Sequence, residues 1–112
     1  MSVLVLAAAL ASLNGAWSVD LRTTSTAPAY SQPMELTVAA DGAVTGRFYG
    51  APIDAGRASD SNGRTCFAFT TKDGTGPYHH AGCLKGEVVE GQSWSIGRNF
   101  LLNWRAERTP GR

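Results

Sequence analysis

Glycine, proline and Asp-Gly or Asn-Gly pairs punctuate this chain roughly every ten residues beyond position 12, and the runs between them alternate apolar and polar side chains. Alternation at period two sends successive side chains to opposite faces of a strand, so each run offers one face to a core. Apolar residues at helical spacing are scarce over the same stretch. The pattern predicts an all-β meander with strands near Ala16–Thr23, Gln32–Ala39, Ala43–Tyr49, Pro52–Ala58, Arg64–Thr71, Pro77–Lys85, Glu87–Ile96 and Asn99–Glu107. Asp41-Gly42 and Asn62-Gly63 read as two-residue hairpin turns with positive φ at both central positions. Lys85-Gly86 and Gly97-Arg98 read as tight connections, whereas Thr24–Ser31, biased to Ser, Thr and Ala around Pro28, reads as a flexible loop or lid.

The two cysteines sharpen this reading. Cys66 and Cys83 are equidistant from the centre of the Gly74-Thr75 turn signal, so a hairpin folded there sets them directly opposite one another. A cross-strand bridge between them would stabilise the fold by roughly 3 kcal/mol in the chain-entropy model and implies an oxidising compartment. The alternatives are two buried free thiols or, with too few soft ligands for it, a zinc site. In the same register His80 faces Phe69 and shares its side of the hairpin with Phe67, Tyr78 and Leu84, while His79 falls with Ala68, Thr70, Ala81 and the cysteines. The first set is the more apolar and aromatic, so His80 and Tyr78 are expected to project inward and the disulfide outward.

Eight short strands joined mainly by hairpins leave two exposed edges unless the sheet closes. The economical architecture is therefore an eight-stranded antiparallel up-and-down meander barrel, with a two-sheet sandwich as its rival. Its expected lining comes from Trp17, Val19 and Leu21; Met34, Leu36 and Val38; Val44, Gly46 and Phe48; Phe67 and Phe69; and Phe100, Leu102, Trp104 and Ala106.

The chain has 112 residues, of which 17% are charged, and a net charge of +1. This is the size of one domain with a modest core, and it gives no electrostatic case for nucleic acid or an anionic membrane as a partner. Met1–Ala11 is an uncharged apolar run too short to span a bilayer, and Ala9-Leu10-Ala11 is a small-x-small cleavage site. Residues 1–11 therefore read as a signal peptide and residues 12–112 as a single β-barrel domain, secreted or periplasmic, with no stable membrane insertion after cleavage. The competing reading makes the first residues an apolar strand.

Gly15-Ala16-Trp17 on the first strand is similar to the Gly-x-Trp opening of the calycins, the superfamily of small barrels that includes avidins and lipocalins. Arg108, in Trp104-Arg105-Ala106-Glu107-Arg108, resembles the last-strand arginine that packs over that tryptophan. Leu36 to Phe48, carrying Thr45-Gly46-Arg47-Phe48, resembles the avidin hairpin with its Thr-Gly-x-aromatic strand, and Gly91-Gln92-Ser93-Trp94 resembles an avidin strand bearing a pocket tryptophan. The resemblance implies a ligand held in the barrel and structural roles for Trp17 and Arg108. Phe48 stands where the avidin tyrosine would donate a hydroxyl, and Phe69 and His80 stand where middle-strand tryptophans would, so biotin binding is not implied. The length, bridge and short segment before Trp17 also resemble the small periplasmic inhibitors of bacterial metalloproteases.

No catalytic residue is assigned. Asp54, Asp60, Glu87 and Glu90 show no spacing that brings two carboxylates to reacting distance, and no Gly-x-Ser-x-Gly elbow is present. His79 and His80, adjacent on a strand, point to opposite faces and cannot share a metal, so no metal or cofactor is expected. Arg47, Arg57, Arg64 and Arg98 are candidates for an anion-binding rim. The leading functional expectation is a calycin-like binding module for a small, partly apolar ligand, with Phe48, Phe67, Phe69, Tyr78, His80, Trp94 and Trp104 as lining candidates. The alternative is a protein-interaction or inhibitor-like barrel acting through its loops or outer face. Nothing in the sequence sets the oligomeric state.

Overall fold

The computed structural model describes residues 8–110. Their strands are β1 (Gly15–Asp20), β2 (Ser31–Val38), β3 (Ala43–Phe48), β4 (Ala51–Pro52), β5 (Asp54–Ser61), β6 (Arg64–Asp73), β7 (Gly76–Lys85), β8 (Val88–Ser95) and β9 (Phe100–Arg108). Each neighbouring pair is antiparallel, β1 pairs with both β2 and β9, and β2 pairs with β3, so the sheet closes on itself. The two-residue β4 is a stub against the end of β3, which leaves an eight-stranded meander barrel. Closure satisfies the backbone groups that a sandwich would leave at its edges.

The hairpin between β6 and β7 turns at Gly74-Thr75 and sets Cys66 opposite Cys83, Phe69 opposite His80 and Thr71 opposite Tyr78. Cys66 and Cys83 are disulfide-bonded, and the chain's two cysteines are thus both committed. The Asn62-Gly63 turn has positive φ at both residues, as its sequence requires.

Two local expectations are corrected. At Asp41-Gly42 only the glycine has positive φ; Gly42 N–H donates to Ala39 O and the Asp41 carboxylate accepts from Ala43 N–H, which makes a four-residue connection between β2 and β3. The aspartate side chain stabilises the turn in place of left-handed backbone. The strand expected over Pro52–Ala58 is split: the pairing of β5 with β6 slips between Asp54 and Arg57, and Ala55 lies at φ 51°. An alternating pattern does not register a bulge, because the extra residue leaves the polarity of its neighbours unchanged.

The alternating apolar sets point inward. Trp17, Val19, Met34, Leu36, Val44, Phe48, Phe67, Phe69, Leu102, Trp104 and Ala106 are buried in one cluster. Phe67 stacks on Phe69 at 5.6 Å, Phe48 lies 5.7 Å from Phe69, and Phe48 lies 5.9 Å from Trp104. Room for the Trp104 indole comes from Gly91, where a Cβ would sit 2.4 Å from the ring and 2.6 Å from Ala81 O. Below the level of Phe69 the lumen is therefore filled with side chains.

One end is plugged. Residues 8–11 form a helical turn, and Leu10 and Leu13 are buried against the core. Trp17 Nε1–H donates to Leu13 O at 3.0 Å, and the Arg108 guanidinium lies 4.3 Å from the Trp17 ring centroid. Arg108 also donates to Asn14 O at 2.7 Å and to Ser12 O, while Val38 N–H donates to Asn14 Oδ1. Of the expected leader, Met1–Ala7 lie outside the described residues.

Candidate functional site

The opposite end is ringed by the connections β1–β2, β3–β5, β6–β7 and β8–β9 and opens into a cavity of about 560 Å³. Phe48, Thr71, His80, Ser93 and Leu102 line its lower part, and Tyr30, Tyr49, Tyr78, Arg98 and Phe100 line its upper part. The register explains the floor: His80 lies between Phe69 and Ser93 on its two neighbouring strands.

His80 is only 4% exposed and has a hydroxyl at each ring nitrogen. Its Nε2 is 2.9 Å from Thr71 Oγ1, and its Nδ1 is 2.6 Å from Ser93 Oγ, which in turn accepts a hydrogen bond from Trp104 Nε1–H at 2.8 Å. The ring lies 4.2 Å from that of Phe48 and 5.1 Å from that of Phe69, between centroids. Burial among these rings, with a smaller push from His79, lowers the His80 pKa from 6.5 to about 4, so the imidazole is neutral at pH 7.

The rim is held by a second polar chain. Arg98 Nη1–H donates to Tyr78 Oη at 3.3 Å, Tyr78 Oη is 3.2 Å from Thr75 Oγ1, and Thr75 donates to Asp73 Oδ1 at 2.6 Å. Hydrogen bonds from the Thr75 hydroxyl and amide hold the Asp73 carboxyl below its ordinary pKa. Arg98 covers the Phe100 ring at 5.1 Å. Two hairpin turns meet here, since a Cβ on Gly97 would come within 2.2 Å of Thr75 O. Across the mouth the Tyr30 and Tyr49 hydroxyls are hydrogen-bonded to each other.

The segment read as a flexible loop or lid, Thr24–Ser31, is tied to the barrel at Tyr30. Asp20 accepts from Arg22 Nε at 2.7 Å, from Arg22 N–H at 3.1 Å and from Tyr30 N–H at 3.3 Å, and Leu21 N–H donates to Tyr30 O at 2.7 Å. These bonds, led by the one from the Arg22 side chain, lower the Asp20 pKa to about 2.

Of the sequence-derived lining candidates, Phe48, Tyr78 and His80 reach the cavity. Phe67, Phe69 and Trp104 are buried below it as core, Trp104 acting on the site through Ser93. Trp94 is a correction: it is 38% exposed on the outer wall, opposite His79 and Leu101. Val89, Gly91, Ser93 and Ser95 take the inward positions of β8, so period two sends Trp94 out with Glu90 and Gln92. The four arginines do not form one rim. Arg98 alone of them lines the cavity, while Arg47 donates to Gly50 O on the β3–β5 connection, Arg57 to Asp41 O, and Arg64 borders a shallow outer recess beside Gly82 and Gly91. Sequence reasoning missed Thr71, Ser93 and the tyrosine pair. Parity with the inward set would have found Thr71, two positions beyond Phe69.

Among the described residues no three His, Cys, Asp or Glu side chains are grouped to hold a metal, and no helix is long and apolar enough to cross a membrane. Compared with protein-family models, with curated proteins and with solved structures, the chain matches none. The geometry itself defines the class: a disulfide-bonded, closed antiparallel barrel, plugged at one end and open over a buried imidazole at the other.

Proposed function

We propose that this protein is a secreted or periplasmic, calycin-like binding module that holds a small, partly apolar ligand in the open mouth of its barrel. The observation that carries the reading is the cavity of about 560 Å³ above Phe48, His80 and Leu102. Pockets for small molecules fall at roughly 300–1,000 Å³ and combine apolar walls with a few placed polar groups, which is the composition of this one. Support for the calycin-like part of the reading comes from Arg108 over Trp17 beside the Leu10 and Leu13 plug. The disulfide is compatible with an oxidising compartment. A binding role fits His80 better than a catalytic one, because its partners are hydroxyls with no carboxylate to stabilise an imidazolium.

Native mass spectrometry of protein purified from its exported fraction, before and after denaturation, tests the proposal. The expected result is a mass excess that disappears on denaturation, on a chain two hydrogens light for the bridge. The same spectrum reads the N-terminus: processing after Ala11 starts the chain at Ser12 and removes Leu10 from the plug. A bare mass, with no small molecule retained from an extract of the same compartment, would overturn the mouth as a ligand site.

A second reading has its own observation. Trp94, Leu101 and Ile96 are 38%, 58% and 66% exposed on the outer wall near the β8–β9 turn, with Trp94 and Leu101 directly paired. Such an apolar patch favours a protein partner docking on the outer face.

A further inference from the structure

The hydrogen bonds around His80 form one chain, from Trp104 through Ser93 and His80 to Thr71 at the cavity floor. Trp104 Nε1–H can only donate, so Ser93 Oγ accepts from it at 2.8 Å. The Ser93 hydrogen then needs an acceptor, and the contact that supplies one is His80 Nδ1 at 2.6 Å. Were Nδ1 protonated, two donors would converge on Ser93 Oγ, and the Ser93 hydrogen would have to turn into the cavity for an acceptor. In the arrangement that gives the Ser93 hydrogen a protein acceptor, the neutral ring carries its hydrogen on Nε2 and donates it to Thr71 Oγ1 at 2.9 Å. Thr71 is buried and lines the cavity, and its side chain makes no other hydrogen bond among the described residues.

Resting on the reading of the mouth as a ligand site, we propose that its ligand presents a neutral oxygen acceptor, a carbonyl or ether oxygen, to the Thr71 hydroxyl hydrogen. The relay from Trp104 through Ser93 and His80 leaves that hydrogen as the uncommitted donor at the floor. Tyr78 cannot serve, because its hydrogen is directed to Thr75 once its oxygen accepts from Arg98. A carboxylate is disfavoured at this depth, since the floor is walled by Phe48 and Leu102 and offers it no cation. The low His80 pKa is consistent with a relay in which the imidazole stays neutral. Thr71 and His80 thus position an acceptor, and the aromatic wall holds the apolar remainder.

The test uses two probes of one shape, 2-acetylnaphthalene and 2-isopropenylnaphthalene, which differ by a carbonyl oxygen in place of a methylene group. Transfer out of water alone favours the hydrocarbon, so a preference for the ketone reports a specific hydrogen bond. Titration calorimetry is expected to show tighter binding of the ketone, about tenfold loss of its affinity in Thr71→Val, recovery in Thr71→Ser, and no change for the hydrocarbon. Nitrogen NMR of the ring in the unmutated protein is expected to report the Nε2–H tautomer. Equal effects of Thr71→Val on both probes, or an Nδ1–H tautomer, would overturn the inference and leave the mouth as a ligand site. Failure of both probes to bind would overturn the two together.

Discussion

The two ends of this barrel are built from the same materials and do opposite things. At the plugged end Trp17 is buried, its indole N–H is bonded to Leu13 O, its face is covered by Arg108, and Leu10 and Leu13 fill the space beneath. At the open end the aromatic residues are Tyr30, Tyr49, Tyr78 and Phe100, all partly exposed; the tyrosine hydroxyls bond to one another or to Thr75 and Arg98, and Arg98 covers the Phe100 ring. The plugged end spends its aromatic surface on packing, whereas the open end keeps it facing a cavity. His80 lies at the boundary, below the cavity and above the stacked Phe67 and Phe69. A chain this short has one core to spend, and the difference shows that it keeps the lower lumen for stability and leaves the upper lumen free.

The largest expected effect sharpens that contrast. Trp17→Ala removes a fully buried indole together with the platform for Arg108, and a loss of about 3–5 kcal/mol in unfolding free energy is expected. Phe100→Ala, at the half-buried rim under Arg98, should cost about 1 kcal/mol. Urea unfolding followed by circular dichroism measures both. Comparable losses at the two ends would break the distinction between a structural end and an open one.

The next effect lies at the boundary. The ordinary histidine pKa of 6.5 applies to the unfolded chain, and the folded value is about 4. Between those values the unfolded state binds the extra proton, so stability attributable to His80 is complete above pH 6.5 and declines as the pH falls toward 4. A loss of roughly 3 kcal/mol across that window is expected. The His80→Gln variant, which does not titrate, supplies the control: its unfolding free energy should change less over the same window. Parallel pH profiles for the two proteins would mean that His80 is not held neutral by burial, and the boundary between core and mouth would lie elsewhere.

The sequence carried much of this contrast, though unevenly. The β6–β7 hairpin was fully legible because Cys66 and Cys83 are symmetric about Gly74-Thr75, and that one register fixes His80 against Phe69. The packing of Arg108 on Trp17 was legible through Gly15-Ala16-Trp17 and Arg108, whereas the Leu10 and Leu13 plug was not, since residues 1–11 read as a signal peptide. What misled was the likeness of Gly91-Gln92-Ser93-Trp94 to a strand with a pocket tryptophan: Gly91, Ser93 and Ser95 hold the inward positions of β8 because Trp104 and His80 come from neighbouring strands to fill that space. Ser93 and Thr71 were passed over because a small hydroxyl residue carries no apolar signal of its own, although parity with Phe67 and Phe69 places Thr71 inward. The turn at Asp41 and the bulge at Ala55 were illegible because both depend on backbone angles that polarity does not encode.

The smallest expected effect belongs to the tyrosine pair across the mouth. Tyr30 and Tyr49 are 45% and 48% exposed, their rings meet edge to face at 6.1 Å, and their hydroxyls are bonded to each other. Replacing Tyr49 by Phe removes one hydroxyl, and water takes its place at the other, so no buried group is left unpaired. The ring contact is retained. The expected change in unfolding free energy is within about 0.5 kcal/mol, the range of surface substitutions. A second readout gives the prediction its edge: the Tyr30 bond raises the Tyr49 pKa, and the absorbance titration of the phenols should lose that high-pH component in Tyr49→Phe. A loss of stability approaching that of Trp17→Ala would mean that the tyrosine pair closes the mouth as a structural lid, and the two ends would then differ in what seals them and not in whether they are sealed.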